Sequence, residues 1–150
     1  MTIEKIVFEI ADTLRQESAF AGCPVIEQHQ GDVENEVELA VGKAGTRCAL
    51  VGFNGAENTV QGTTAPKGGI VASAKFFVCV FGREEPSSRR ALAPGILALA
   101  RKTANLLQGA AAAGMADTLK FKRLGPVIPT GERDDGLLTC TVEFETKAEI

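Results

Sequence analysis

The chain has 150 residues, of which 45% are hydrophobic and 23% charged, and its 16 basic and 19 acidic side chains leave a net charge of −3. One domain of this length, residues 1–150, buries roughly 70% of the surface its unfolded chain exposes, so it needs neither disulfides nor a structural metal. The composition excludes a disordered chain, and the charge balance excludes a polybasic partner surface for nucleic acid or anionic lipid.

The first segment reads as a helix. Ile3, Ile6, Val7, Ile10 and Leu14 share one face, while Glu4, Asp12, Arg15 and Gln16 fall largely on the other. Asp12 and Arg15 are spaced for an i,i+3 pair, and Gly22 and Pro24 end the helix or the turn after it. The opening lacks a basic leader with a long apolar core, so it is not read as a signal peptide, and no run reaches the ~20 apolar residues a bilayer span needs. The expectation is a soluble protein made in a reducing cytoplasm.

Cys23–Gln28 is a short strand candidate. Val33, Val37 and Val41 recur at helical spacing, which predicts a short second helix closed by Gly42; their β-branched side chains leave strand pairing as the alternative. Thr46–Gly55 reads as a strand ended by the turn dipeptide Asn54–Gly55. The Gly- and Thr-rich stretch 54–70 has no periodicity and reads as a long flexible loop or arm. Ile70–Arg83 is the strongest strand. Residues Phe76 to Phe81 are apolar at every position, which predicts a central strand covered on both faces, or one whose second face meets another subunit.

The main helix is expected after a Ser/Arg loop, with Ser87 or Ser88 as cap, Pro94 in the first turn and Gly109 or Gly114 at the end. Leu92, Ile96, Leu99, Thr103 and Leu106, with Leu97, Ala100 and Leu107 beside them, form its apolar face. Two strands close the chain. In the last, Leu138, Cys140, Val142 and Phe144 alternate with Thr139, Thr141, Glu143 and Glu145, so one face is buried and one wet. The order of elements predicts an α+β fold, a mostly antiparallel sheet packed with helices as an α/β sandwich.

Chemistry-bearing patterns are scarce. The four cysteines, Cys23, Cys48, Cys79 and Cys140, include no C-x-x-C pair, and three lie in apolar runs that suit buried free thiols. The only histidine, His29, has no evident partner. The glycines and lysine of 62–69 have the wrong spacing for a phosphate loop and precede a strand instead of a helix, and neither G-x-S-x-G nor H-E-x-x-H occurs. No catalytic, cofactor-binding or metal-ligating residue is assigned, and no cofactor is implied. Two charge-dense loops remain. Glu132, Arg133, Asp134 and Asp135 could contribute to a hard-cation site, but Thr130–Gly131 and Asp135–Gly136 are turn dipeptides between strands, so they read first as a hairpin tip or subunit contact. Arg83, Glu84, Glu85, Arg89 and Arg90 mix both signs, which suits a solvated loop or an interface rim better than a phosphate site.

The opening helix, "RCALVGFNG", the long loop, "KFFVCVFGR", the Ser/Arg loop leading to "GILALARKTANLL" and the ending "PVIPTGERDDGLLTCTVEFET" together resemble the tail-terminator and minor-tail proteins of long-tailed bacteriophages, in the Mu-like branch. The resemblance spans about Ile3 to Thr146 and lies in element order, not in one motif. It implies a non-catalytic structural protein of the virion tail, assembled in the host cytoplasm as a hexameric ring. That ring caps the tail tube, ends its polymerisation and joins tail to head. The implied partners are further copies of the chain, the tail-tube protein and a head-completion or connector protein, with no membrane and no required nucleic-acid contact. The alternative is a small cytoplasmic protein-binding adaptor without catalytic activity.

Overall fold

A computed structural model describes residues 2–28, 47–57, 71–83, 89–111, 118–129 and 137–149, with the side chains of Thr2, Arg83 and 89–94 excepted. In chain order the elements are α1 (Thr2–Gln16), a 3-10 turn (Ser18–Phe20), β1 (Val25–Glu27), β2 (Arg47–Glu57), β3 (Val71–Arg83), α2 (Arg89–Leu107), β4 (Lys120–Leu124), β5 (Ile128–Pro129) and β6 (Leu137–Glu149). The strands form one sheet in the order β1-β2-β3-β6-β4, with β5 also paired to β6. Among the described strands, β1 and β2 pair in parallel and the other paired strands are antiparallel. The fold is α+β. The helix proposed for Val33–Val41 and most of the 54–70 loop lie outside the described residues.

Both helices pack on one face of the sheet. Ile6, Val7, Ile10, Ala11 and Leu14 of α1 and Ile96, Leu99, Ala100 and Leu107 of α2 join Ala49, Val51, Phe76, Val78, Val80, Cys140, Val142 and Phe144 in a single core. The period of two in strands explains the membership, since cross-strand partners such as Val78 and Val142 present side chains to the same face. Phe53 and Phe76 meet with ring centroids 5.6 Å apart, and Phe121 meets Phe144 edge-on at 6.3 Å. Thr103 is wholly buried in α2; its hydroxyl donates to the Leu99 carbonyl at 2.8 Å, so the helix itself satisfies the polar atom.

Several local expectations are revised. β3 is central, but its two faces differ: Phe76, Val78 and Val80 are at most 1% exposed, whereas Phe77, Cys79 and Phe81 are half-buried. Asn54–Gly55 does not end β2. Phe53 pairs with Phe76 and Ala56 with Ala74, so β2 gains one residue there as a β-bulge, and Gly55 takes the positive φ of 99° that the bulge uses. Pro94 falls in the second turn of α2, because the helix starts at Arg89. Gly109, at φ 79°, follows the last turn, and its N–H donates to the Leu119 carbonyl, leading the chain into β4. Arg15 does not pair with Asp12, which accepts from Gln16 at 2.8 Å. Arg15 reaches the start of β1 instead, donating to the Val25 carbonyl at 2.7 Å and pairing with Glu27 at 3.0 Å.

Candidate assembly surface

The register brings the end of β3 and the start of β6, which flank the two charge-dense stretches in sequence, to one end of the sheet. β3 ends at Arg83, whose cross-strand partner is Leu137, the first residue of β6, and Arg47 at the start of β2 pairs with Gly82. Of the residues singled out from sequence, Arg83 closes β3, and Arg89 and Arg90 open α2. Glu84, Glu85, Glu132, Arg133, Asp134 and Asp135 lie outside the described residues. β5 supports the hairpin reading of the last loop, because Ile128 and Pro129 pair antiparallel with Thr139 and Leu138 on either side of it.

Arg47 stands at this rim and was not singled out from sequence, where an arginine at the head of an apolar run carries no distinguishing mark. Its guanidinium lies against Gly95 of α2, where a Cβ would collide with it, and its buried Nε has no hydrogen-bond partner. The absent side chain of Gly95 thus lets a cation pack between helix and sheet. Its charge also bears on Cys23. Burial pushes that thiol up to about 11, with Arg47 opposing the rise, so Cys23 is no ready nucleophile at neutral pH. Burial likewise raises the Cys79 and Cys140 thiols, and all four cysteines are free.

The sheet face turned away from the helices divides into two zones. Toward the Arg47 end it is apolar. Ile26, Cys48, Leu50 and Leu137 are buried there, with Phe77, Cys79 and Phe81 beside them. The Phe77 ring covers Gly52 on the next strand, so a Cβ at Gly52 would strike the ring and the Gln28 side chain. Toward the other end the face is charged and internally paired. Lys75 meets Glu57 at 3.6 Å, Lys122 meets Glu145 at 3.7 Å, and Arg123 meets Glu143 at 3.5 Å. A hydrogen bond from the Ser73 hydroxyl to Glu145, helped by Lys122 and Lys75, holds the Glu145 carboxyl below its ordinary pKa. Exposed pairs of this kind contribute ~0–1 kcal/mol each, so they set surface character more than stability.

The other features of the described residues give no reaction centre. A cleft of about 200 Å³ is lined by Ile3, Glu4, Val7, Gln28 and Phe53, and one Glu4 carboxylate oxygen is buried without a hydrogen-bond partner. Those lining groups supply one carboxylate and no nucleophile for it to activate. Among the described residues, no group of three or more His, Cys, Asp or Glu side chains could hold a metal, and no helix is long and apolar enough to cross a membrane. What the geometry offers is surface: a rim where β3 ends beside the start of β6, and a sheet face that is apolar at one end and ion-paired at the other.

No protein-family model matches the sequence, and no curated protein matches it. Among solved structures, the chain is similar to one from the "Virion of native gene transfer agent (GTA) particle", at 15% sequence identity and a TM-score of 0.53. That similarity covers 94% of this chain and 92% of the other, so the two share a fold over nearly their whole lengths.

Proposed function

We propose that the chain is a structural virion protein of the tail-terminator kind, forming a ring that caps the tail tube, ends its growth and joins tail to head. The observation that carries the virion part is the near full-length fold match to a chain of a gene transfer agent virion. The terminator and ring parts extend the resemblance in element order described above. The surface supports an assembly role, since ring contacts are heterologous and join one patch to a different patch on the next copy. The mixed-sign residues Arg83, Glu84, Glu85, Arg89, Arg90, Glu132, Arg133, Asp134 and Asp135 suit such a contact, where charge sets register and orientation. The reading needs no catalytic residue.

Light scattering on the purified chain, alone and with the tail-tube protein of the same particle, tests the proposal. It expects a particle of six chain masses, either in solution or on the tube end. A chain that stays monomeric and never binds the tube would overturn the ring reading and leave a small adaptor in its place. Arg133→Glu is expected to break the ring while the monomer keeps its circular dichroism spectrum and melting temperature.

A further inference from the structure

Two features on opposite sides of the helix layer complement each other. The first is the cleft of about 200 Å³ beside the opening turns of α1, where Ile3, Val7 and Phe53 supply apolar walls and Glu4 and Gln28 the polar groups. It is smaller than the roughly 300–1,000 Å³ of small-molecule sites, so a side chain or two fills it. One Glu4 carboxylate oxygen is buried with no hydrogen-bond partner. Leaving such an oxygen unpaired costs free energy that a cation would recover. The cleft therefore calls for a positive head carried on apolar carbon.

The second feature has that chemistry. Leu97 and Arg101 are one helical turn apart on α2. Leu97 is 37% exposed, and Arg101 is exposed with no ion pair among the described residues. Other cations nearby are already paired: Lys102 meets Glu17 at 3.6 Å, and Arg123 meets Glu143.

Helical geometry sets the two features at opposite edges. Arg101 and Gln108 lie two turns apart on one flank, since the Gln108 N–H still bonds to the Ala104 carbonyl in helical register. Gln108 accepts a hydrogen bond from the Phe121 N–H at 2.6 Å, so that flank faces β4, one end strand of the described sheet. Lys102 falls on the other flank, toward the chain that follows α1. Glu4 and Arg15 lie three turns apart on one flank of α1, and Arg15 reaches Val25 and Glu27 of β1, the opposite end strand. A cleft at one edge and its complement at the other do not meet within one copy, but they fit head to tail between copies.

We infer that the cleft at the β1 edge of one copy receives the Leu97–Arg101 ridge of a second copy. Arg101 pairs with Glu4, while Leu97 and the aliphatic stem of Arg101 rest on Ile3, Val7 and Phe53. Every copy offers both halves, so the contact repeats from copy to copy. The inference rests on the ring reading and gives it one defined contact.

Opposite charge reversals in full-length chains test it. Glu4→Arg sets cation against cation at each contact, and Arg101→Glu sets acid against acid. Each variant alone is expected to weaken association at least about tenfold by light scattering, in solution or on the tail-tube protein. Mixed in equal amounts, the two variants restore opposite charges wherever they alternate, and association should return toward the parent's. A parent that assembles while neither reversal weakens it, or reversals that weaken it without recovery on mixing, would overturn this inference and leave the ring reading standing. A parent that never assembles, alone or on the tube, overturns both. Circular dichroism checks that each variant is folded. If Glu4→Arg is not, Arg101→Glu combined with Glu4→Gln decides, because it removes the clash: association no stronger than that of Arg101→Glu alone overturns the inference.

Discussion

Adjacent phenylalanines on β3 give a sharp test of which sheet face carries the core. Phe76 is 1% exposed, touches Phe53 and stands across from Phe144, with both helices in the same cluster. Phe77 points to the other face and is half-buried over Gly52. Phe76→Ala removes a fully packed ring and leaves a cavity, at a cost of about 3–5 kcal/mol. Phe77→Ala loses only part of the 1.5–3 kcal/mol that full burial of such a side chain contributes, about 1–2 kcal/mol. A domain of this size shifts by about 2–4 °C per kcal/mol, so the variants should melt roughly 10 °C and 3 °C lower than the parent. Urea denaturation followed by circular dichroism measures both at one fixed protein concentration, because assembly adds a concentration-dependent term. The slope against urea should stay constant, so that midpoints report stability and not a change in compactness. Equal losses, or a larger loss for Phe77→Ala, would refute the placing of the main core on the helix face.

Two further outcomes follow from polar contacts. Arg15→Ala removes an ion-pair partner from Glu27, whose side chain is 3% exposed, and should cost up to about 2 kcal/mol in the same urea assay; the ~3–5 kcal/mol of a fully buried pair is discounted because Arg15 is itself 36% exposed. Ser73→Ala removes the main cause of the low Glu145 pKa, so a carboxyl-detected NMR titration should show that pKa moving up toward the ordinary glutamate value. A depressed acid stabilises the fold above its unfolded pKa and loses that contribution as pH falls through the folded one. The parent should therefore lose this contribution only as pH falls below the ordinary glutamate range, and an unchanged Glu145 titration in the variant would remove Ser73 as the cause.

What the sequence determined by itself are the elements whose side chains repeat with a clear period. The α1 face of Ile6, Ile10 and Leu14, the α2 face of Ile96, Leu99 and Thr103, and the alternation of Cys140, Val142 and Phe144 are all legible, because burial on one side imposes a period of 3.6 or 2. The α+β class follows from their order. Tertiary structure alone decided which strands are neighbours, and so which distant strand ends share a rim: Arg83 faces Leu137 only because β6 inserts between β3 and β4. It also decided the two faces of the Phe76–Phe81 row, where every position is apolar and no periodicity remains to be read. Arg15 turning to Glu27 instead of Asp12, the bulge at Gly55 and Arg47 lying on Gly95 belong to the same group. Each depends on a partner far along the chain, and local sequence carries the preferences of a segment but not the identity of what packs against it.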